Sequence, residues 1–427
     1  MVFLGTGSAS DDFYGANRIG DNLFANSLLA LDARTGERRW HFQFVKHDVW
    51  DRDVPAPPSL VTVDRDGQSI DAVAQITKSG HVFVFKRDTG ESLFPLQEIE
   101  VQPSNTPGEK LATTQVLPAS PKPFSRQVFD ETTVTRRTPE ATAHVLERLK
   151  TLDTGGQFMP TSTRGLVMFP GFDGGGEWGG PAFDPTTSML YVNANEMPWI
   201  LKLEERHPLP AGARAHDAYE LLCAGCHGSE FEGSGEFPSL RNLSKRMNKD
   251  EINDLLKNGR GRMPAFNSFL DRQGRRAMAQ FLLEGENQEI NAAIGADSPN
   301  FLRYRIAGYP LFRDHEGYPA NSTPWGTLSA INLITGEYAW QIPLGEYPEL
   351  VEQGIKNTGS QNYGAPVVTA GGLVFIAATL FDNKIRAFDK NNGELLWQHV
   401  LPAAGAATPA VYEAGGKQFL VTTAGGN

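Results

Sequence analysis

An eleven-residue pattern that recurs along the chain constrains the fold more than any other feature. Its copies are ALDARTGERRW (30–40), AINLITGEYAW (330–340), AFDKNNGELLW (387–397) and the shorter FKRDTGESLF (85–94), which ends in Phe. Asp or Asn followed by Gly predicts a tight turn between two strands, with glycine at positive φ. The last two tryptophans lie 57 residues apart (397 minus 340), slightly more than one four-stranded propeller blade. The repeat therefore predicts an all-β propeller.

Helical periodicity interrupts this β pattern between about Pro208 and Gly295. Asn248 and Glu251 form a capping box, which predicts a helix with an apolar stripe that ends before glycine. A second helix is predicted over about 272–284, and AHDAYELL (215–222) predicts a short third one. We therefore predict an inserted all-α domain, with propeller blades in 1–205, the insert in 206–296 and further blades in 297–427.

The two cysteines of the chain, Cys223 and Cys226, both fall in the sequence CAGCH, which ends at His227. C-x-x-C-H is the attachment signature of c-type haem. A redox dithiol and half of a zinc site are the alternatives, but a zinc site requires two further Cys or His ligands at suitable spacing. No such pair follows. The motif therefore predicts a covalent haem c, with His227 as an iron ligand.

A methionine downstream of the haem motif is the expected sixth iron ligand, because a thioether suits an electron carrier. Met247 lies in a polar helix-entry segment and is a poor candidate. Met263 lies 36 residues after His227 (263 minus 227), in the flexible sequence GRGRMPAF, where Pro264 favours an extended backbone. We predict Met263 as the ligand; plain core packing is the alternative.

Composition excludes some classes of function. The chain has 39 Lys and Arg against 50 Asp and Glu, a net charge of -11, which argues against nucleic-acid binding. It contains no apolar run long enough to span a bilayer. Its first residues, MVFLGTGSAS, lack the features of a signal peptide and resemble a strand already under way, so we expect the true N-terminus upstream.

The segment 102–163 is rich in Pro, Thr and charge, and TPEATAHVLERLK (138–150) within it predicts a short helix. Such a long excursion is either a functional loop or a decorated surface. The composition favours the surface interpretation.

The densest group of functional side chains lies in WHFQFVKHDVWDRDVPAPP (40–58). It combines His47 with Asp48, Asp51 and Asp53 within seven residues. Closely spaced carboxylates at a strand end bind a hard cation or hold one member as a general base. An acidic surface loop is the alternative.

Two family resemblances extend these interpretations. Residues 208–290 resemble a small class I cytochrome c, including Pro238-Ser239-Leu240, where such cytochromes place a proline whose carbonyl accepts the histidine's other N–H. Four propeller segments closely resemble the pyrroloquinoline quinone (PQQ)-dependent dehydrogenases, nearest to the glucose and polyol branch and to cytochrome-containing relatives. These segments are WHFQFVKHDVWDRD, QITKSGHVFVFKRDTG, FPGFDGGGEWGGPAFDP and NYGAPVVTAGGLVFIAA.

The PQQ resemblance implies residue roles. Asp51 matches the catalytic base that removes the substrate hydroxyl proton. Asp51 and Asp53 also match carboxylates near the divalent cation, which the resemblance implies to be Ca or Mg. Lys78, 27 residues after Asp51, matches the basic residue that hydrogen-bonds the quinone oxygens. Three further residues match positions close to PQQ: Glu177, Trp178 and Tyr363.

The sequence departs from the resembled family at both ends. Relatives often read GTGN, with Asn on the metal, where this chain has Gly5-Thr6-Gly7-Ser8, which makes Ser8 a weak cation contact. The chain ends at Asn427, where the glucose branch places a histidine. The resemblance therefore implies a fragment with roughly half of a propeller, which would be inactive alone.

The leading hypothesis is a periplasmic quinohaemoprotein that oxidises an alcohol, polyol or sugar through PQQ and passes electrons to haem c. A cytochrome or a quinone would then be the downstream acceptor. A haem electron carrier on a non-catalytic propeller scaffold is the first alternative. A propeller module for outer-membrane protein assembly is the second, but it explains neither the haem motif nor the Asp51 and Lys78 pattern.

Overall fold

The computed structural model describes residues 1–65, 67–209, 212–233, 237–261, 263–267, 269–290 and 301–425. The predicted boundary at 296/297 and the terminal Asn427 lie outside these residues. The chain divides into two compact units. The β unit comprises Met1–Leu203 with Tyr309–Asn427, and the haem-motif unit comprises Glu204–Gly308.

Antiparallel strands dominate the β unit, as predicted. Its strands are β1 (Val2–Gly5), β2 (Ser27–Leu31), β3 (Arg38–Gln43), β4 (Ser59–Arg65), β5 (Gln68–Ile76), β6 (Val82–Lys86), β7 (Leu96–Glu100), β8 (Thr114–Pro118), β9 (Leu166–Met168), β10 (Ala182–Asp184), β11 (Met189–Asn195), β12 (Trp199–Leu201), β15 (Gly326–Asn332), β16 (Tyr338–Pro343), β17 (Val367–Val368), β18 (Leu373–Ile376), β19 (Lys384–Asp389), β20 (Leu395–Val400), β21 (Ala410–Ala414) and β22 (Lys417–Val421). Strand β13 (Leu203–Glu205) runs from the β unit into the haem-motif unit, and β14 (Tyr304–Ile306) lies in the haem-motif unit.

Four successive sheets correspond to blades. We name them blade I (β1-β2-β3), blade II (β4-β5-β6), blade III (β10-β11-β15-β16) and blade IV (β17-β18-β19-β20). Two-stranded sheets β7-β8, β9-β12 and β21-β22 complete the β unit. Strand order follows chain order within every blade, so each blade is a meander of antiparallel strands. Blade III differs from the others in the long excursion between β11 and β15, which contains the insert.

The repeated eleven-residue pattern forms the same hairpin in blades I, III and IV. Its glycines adopt positive φ, as predicted: +72° at Gly36, +80° at Gly336 and +74° at Gly393. The register shifts at the same place in all three hairpins, between Ala30 and Leu31 in blade I and at the equivalent residues in the others. The three copies of the pattern therefore share one irregularity of the strand pairing as well as one turn.

The segment 102–163 is not a decorated surface, and that expectation is wrong. Helix α1 (Pro139–Leu149) forms where predicted and is capped by Thr138. It buries Val145 in a core shared with Phe129, Phe169 and Phe312. The apolar residues of this segment are widely spaced among Pro and Thr, so composition alone conceals their common face. A short helix, α6 (Pro348–Glu352), also belongs to the β unit.

The haem-motif unit contains the three predicted helices, α2 (Ala215–Leu222), α4 (Lys249–Asn258) and α5 (Arg272–Glu284). It also contains a short helix that was not predicted, α3 (Ala224–His227), and a 3-10 turn at Leu243–Lys245. Asn248 caps α4 and Glu251 completes the capping box, which confirms the sequence interpretation. Strands β13 and β14 pair where the chain enters and leaves this unit. Within the described residues, no helix combines the length and apolarity needed to cross a bilayer.

Candidate active site and haem site

Asp51 lies in the loop that follows β3 and has an unusual backbone. Its φ is +57°, a left-handed conformation that non-glycine residues seldom adopt. Such a conformation persists only where the surroundings impose it, and it is concentrated at functional sites. The two neighbouring residues provide the constraint.

Trp50 and Arg52 anchor the backbone on either side of Asp51. Trp50 is fully buried and donates its indole N–H to the carbonyl of Met159, at 2.7 Å. The buried guanidinium of Arg52 donates to the carbonyls of Pro170, at 2.5 Å, and Gly171, at 2.8 Å. These bonds hold Asp51 between two segments distant in sequence.

The four side chains His47, Asp48, Asp51 and Asp53, which we call the acidic cluster, form two groups with different contacts. Asp48 accepts hydrogen bonds from the backbone N–H groups of Trp50 and Arg52 and from the hydroxyl of Ser8, at 2.9, 2.7 and 2.6 Å. It therefore closes the loop rather than facing a ligand. His47 pairs with Glu109 at 2.9 Å, and both side chains are buried.

Lys78 joins the other two carboxylates of the cluster. Its ammonium lies 3.0 Å from an Asp51 carboxylate oxygen and 2.7 Å from one of Asp53. The three side chains are half-buried or buried, with 25% of Asp51 and 10% of Lys78 exposed. The spacing of 27 residues noted in the sequence thus corresponds to direct contact.

A glycine-rich loop lies over Lys78. The backbone N–H of Gly175 donates to the Lys78 carbonyl at 2.7 Å, and that of Gly176 donates to the Thr77 carbonyl at 3.2 Å. Gly174 has φ +74°, and a Cβ there would lie 2.4 Å from Lys78 Cγ. Only glycine fits this approach, which explains the run of glycines in FDGGGEW.

The glycine-rich loop brings further acidic side chains to Lys78. The charge of Lys78 acts on both Asp173 and Glu177. The amide of Gln361 donates to Asp173, at 2.5 Å, and to the hydroxyl of Tyr363, at 2.6 Å. Asp173 and Gln361 therefore join the candidate site, and the sequence interpretation missed both. Asp173 lies within the quoted segment FPGFDGGGEWGGPAFDP, and Gln361 directly precedes the quoted NYGAPVV segment.

Burial is the largest influence on the acidic groups and raises their pKa values. It raises the pKa of Asp173 to about 6 and that of Glu177 to about 8, although the charge of Lys78 opposes both shifts. Burial also raises the pKa of Asp51 against the opposing charge of Lys78. Burial alone would lower the pKa of Lys78, but the charges of Asp51 and Asp53 outweigh it and raise that pKa.

The site fits a divalent cation in part. The ammonium of Lys78 interacts electrostatically with four carboxylates, those of Asp51, Asp53, Asp173 and Glu177. Such an excess of oxygen ligands suits Ca²⁺ or Mg²⁺, and a cation would favour ionised carboxylates. No three His, Cys, Asp or Glu side chains in the described part of the chain converge into a complete metal shell. Ser8 donates its hydroxyl to Asp48 at 2.6 Å, and its role as a cation contact stays a prediction.

The haem motif spans the junction of α2 and α3. Cys223 is buried and Cys226 is exposed. His227, also buried, shares a hydrogen bond of 2.9 Å between its Nδ1 and the Pro238 carbonyl, the contact that the cytochrome resemblance implied. With Nδ1 as donor, Nε2 is the nitrogen that can ligate iron. The residues therefore fit a covalently attached haem c.

Met263 and Met247 both pack against the core of the haem-motif unit. That core contains Tyr219, Leu256 and Met278. Met263 forms a tight turn, in which its N–H donates to the Arg260 carbonyl at 3.1 Å and its own carbonyl accepts from the Arg260 N–H at 2.9 Å. Met247 also has a backbone hydrogen bond, from its N–H to the Leu243 carbonyl at 3.0 Å, so these contacts do not decide between the two methionines, and the assignment of Met263 as ligand stays a prediction.

A family model described as "Glucose/ethanol/alcohol dehydrogenase, beta-propeller domain", named PQQ, matches residues 1–228 and 260–420. The chain belongs to this PQQ family. The match confirms the predicted propeller class and the resemblance stated from the motifs. A second model, described as "Cytochrome C oxidase, cbb3-type, subunit III", matches residues 210–282 and overlaps the haem-motif unit.

Curated relatives of this PQQ-family chain are dehydrogenases. This chain is 30% identical over 440 residues to the quinoprotein glucose dehydrogenase of Escherichia coli. The alignment covers 100% of this chain and 45% of that relative. The chain is 30% identical over 434 residues to the quinate/shikimate dehydrogenase (quinone) of Acinetobacter baylyi, with the same coverage. The chain thus spans about half the length of these relatives.

A solved structure also aligns with this PQQ-family chain. It is the quinohemoprotein alcohol dehydrogenase from Comamonas testosteroni, with a TM-score of 0.49 and 17% identity, covering 98% of this chain and 42% of that one.

The structure brings some predicted site residues together and leaves others apart. Asp51, Asp53 and Lys78 form one contact group, and Glu177 acts on it electrostatically. Tyr363 joins it through Gln361 and Asp173. Trp178 is 47% exposed beside Glu177. The roles of all these residues stay predictions.

Proposed function

We propose that this chain carries the catalytic and haem-bearing parts of a PQQ-dependent dehydrogenase that oxidises an alcohol, polyol or sugar. The observation that carries the proposal is the contact of Lys78 with both Asp51 and Asp53 beneath the glycine-rich loop. A non-catalytic scaffold has no need for a strained, half-buried carboxylate held against a buried lysine.

Each side chain has a role that follows from its position. PQQ, when bound, would accept the hydride from the donor carbon. Asp51 would take the donor's hydroxyl proton, because it is the partly exposed carboxylate held in a fixed backbone conformation. Lys78 would donate hydrogen bonds to the quinone oxygens, and Trp50 and Arg52 would keep Asp51 in place.

A divalent cation, Ca or Mg, would bind beside these carboxylates and act as a Lewis acid. Asp51 and Asp53 would supply oxygen ligands. The described residues do not complete a shell, so the remaining ligands would come from cofactor oxygens and from parts of the propeller outside this chain.

We propose residues 206–296 as the haem domain. Cys223 and Cys226 would form the thioether bonds, and His227 and Met263 would ligate the iron. A haem accepts one electron at a time, so it would remove the two electrons of each turnover in succession. The names of the relatives indicate hydroxylated donors, glucose and quinate among them. A cytochrome or a quinone would receive the electrons.

Haem reduction driven by the donor tests this function. In the complete gene product, loaded with PQQ and Ca²⁺, we expect glucose, glycerol, quinate or ethanol to reduce the haem, followed by its α-band. EDTA or omission of PQQ should abolish the reduction, while dithionite should still reduce the haem. Reduction that is independent of PQQ, or absent with every donor, would leave the haem electron carrier as the function.

We propose a periplasmic location, where haem c attachment and PQQ loading take place in the families resembled. Cell fractionation with a periplasmic marker enzyme is the test, and haem staining should follow the periplasmic fraction. Full-length, haem-free product in the cytoplasm would contradict the proposal.

A further inference from the structure

Segment 102–163 contacts the loop 46–52, which carries the proposed base, near both of its ends. The side chain of Gln115 is fully buried and bonds to both backbone groups of Lys46. Its amide oxygen accepts from the Lys46 N–H at 2.9 Å, and its amide N–H donates to the Lys46 carbonyl at 2.8 Å. Towards the other end, Trp50 donates its indole N–H to a carbonyl of the same segment. The segment therefore holds the loop at two separated points.

A charged pair adds a third point of contact between the segment and the loop. His47 Nε2 lies 2.9 Å from a carboxylate oxygen of Glu109, and the two side chains are 2% and 0% exposed. The other carboxylate oxygen accepts the backbone N–H of Gly15 at 2.5 Å. A Cβ at Gly15 would lie 2.6 Å from His47 Nε2, so the backbone there packs directly against the pair. The pair is therefore enclosed by protein rather than by water.

The hydrogen bonds around the pair require charge on both members. His47 Nδ1 lies 2.8 Å from the Gly20 carbonyl, and Nε2 faces the Glu109 carboxylate, so both ring nitrogens face acceptors. A ring that donates from both nitrogens is an imidazolium. The two oxygens of Glu109 also accept backbone N–H groups, from Gly15 and Lys110, as an ionised carboxylate does.

The pKa values of the two groups agree with this geometry. The hydrogen bond to Glu109 raises the pKa of His47, although burial opposes the shift. Burial would raise the pKa of Glu109, but the hydrogen bonds from His47 and from the Gly15 N–H outweigh it and lower that pKa. Removing one member of a buried ionic pair leaves the other without a counter-charge, which is strongly unfavourable. Loss of Glu109 should therefore displace His47.

The backbone of the loop transmits such a displacement to Asp51. His47 has φ +46° and Asp51 has φ +57°, so two left-handed residues lie four positions apart. Asp48, next to His47, accepts the backbone N–H groups of Trp50 and Arg52, the two neighbours of Asp51. A shift of His47 therefore moves Asp48, and with it the backbone on both sides of Asp51.

We propose that Glu109 is a positioning residue of the active site, which keeps the carboxylate of Asp51 in its reactive place by pairing with His47. This inference rests on the proposed function and names a further residue that the reaction requires. A left-handed non-glycine residue persists only where its surroundings impose that conformation, and segment 102–163 supplies part of those surroundings. The segment thus acts on the chemistry without touching the reacting atoms.

Glu109→Gln tests the positioning role. Glutamine has nearly the same shape but removes the charge that pairs with His47. In the complete gene product, loaded with PQQ and Ca²⁺, we measure kcat for whichever of glucose, glycerol, quinate and ethanol the wild type oxidises fastest. We expect kcat to fall about 10²-fold, the effect of misplacing a reacting group by about 1 Å, while KM changes little. An unchanged kcat would overturn the proposal.

Combination with Asp51→Asn separates positioning from a general structural defect. A residue that acts only through Asp51 loses its effect once the base is gone. The double variant should therefore have a kcat within about threefold of that of Asp51→Asn alone, whereas independent defects multiply their effects. A kcat lowered by the product of the two single losses would overturn the positioning role.

Hydrogen exchange followed by mass spectrometry tests the pair without relying on catalysis. In the haem-loaded gene product, amides of the loop 46–52 should exchange at least about tenfold faster in Glu109→Gln than in wild type, because the loop loses a buried contact. Amides of α4 should not change. Equal exchange of the loop in both proteins would overturn the positioning role alone. A wild type that oxidises none of the four donors would overturn the proposed function, and the positioning role with it.

Two further variants control for shape and for general effects. Glu109→Asp keeps the charge on a shorter side chain and should lose less activity than Glu109→Gln; the reverse order would show that shape matters and charge does not, against the proposal. Glu131→Gln makes the same change at an exposed glutamate of segment 102–163 and should match wild type in kcat and loop exchange. Circular dichroism and haem content should be unchanged in every variant. If Glu109→Gln does not fold, Glu109→Asp combined with Asp51→Asn provides the same test.

Discussion

Asp51→Asn is expected to lower kcat for donor oxidation by about 10²–10⁴-fold, the usual contribution of a general base. Asparagine has nearly the same shape but cannot accept the hydroxyl proton. The anchors of the loop, Trp50 and Arg52, do not involve the Asp51 side chain, so the fold and haem content should remain. PQQ should still bind through Lys78. Steady-state donor oxidation in the complete gene product measures the change.

An asparagine substitution elsewhere in the β unit provides the control for Asp51. Asp71 lies on β5 with 68% of its side chain exposed, and Asp71→Asn should leave kcat unchanged. Full oxidation by the Asp51→Asn protein, with PQQ retained, would remove the assignment of Asp51 as base. Loss of activity through loss of PQQ would instead assign Asp51 to cofactor binding.

Met263→Ala is expected to convert the haem from a low-spin to a high-spin spectrum and to lower its potential. Removing the thioether opens the sixth position of the iron and removes a ligand that raises the potential. Axial ligands set haem potentials over a range of about 0.8 V, so the shift should be easily measured by redox titration. The two thioether bonds and His227 should keep the haem attached.

Met247, another methionine of this unit downstream of the haem motif, is the matched control. Met247 also packs against the core of the haem-motif unit, so Met247→Ala tests for a general packing defect. Its spectrum and potential should remain those of wild type. An unchanged spectrum after Met263→Ala would reject Met263, and altered spectra in Met247→Ala alone would make Met247 the ligand.

Local patterns in the sequence were sufficient to predict the hairpins of the repeated pattern and the main helices of the haem-motif unit. The Asn248 and Glu251 capping box depends on atoms within one helical turn, and the positive φ of Gly36 depends on the turn around it. The predicted contact of His227 with Pro238 came from the cytochrome resemblance, and the structure contains it.

The acidic cluster shows what local patterns cannot predict, namely which side chain meets which distant partner. Four side chains within seven residues were equivalent candidates by local pattern, and only the family resemblance selected Asp51 and Asp53; the structure separates the four by their contacts. Asp48 closes its own loop, and His47 pairs with Glu109, 62 residues away. Asp51 and Asp53 face Lys78. No property of the 47–53 segment alone distinguishes these roles.

The sequence by itself determined the blades, the inserted helices and the haem attachment motif, because each depends on residues close together in the chain. Only the tertiary structure decided which carboxylates share Lys78, that Gln361 reaches Asp173 across 188 residues, and that Arg52 reaches Gly171 across 119. Such pairs form when strands from distant parts of the chain pack side by side, so their chemistry depends on blade packing rather than on sequence spacing.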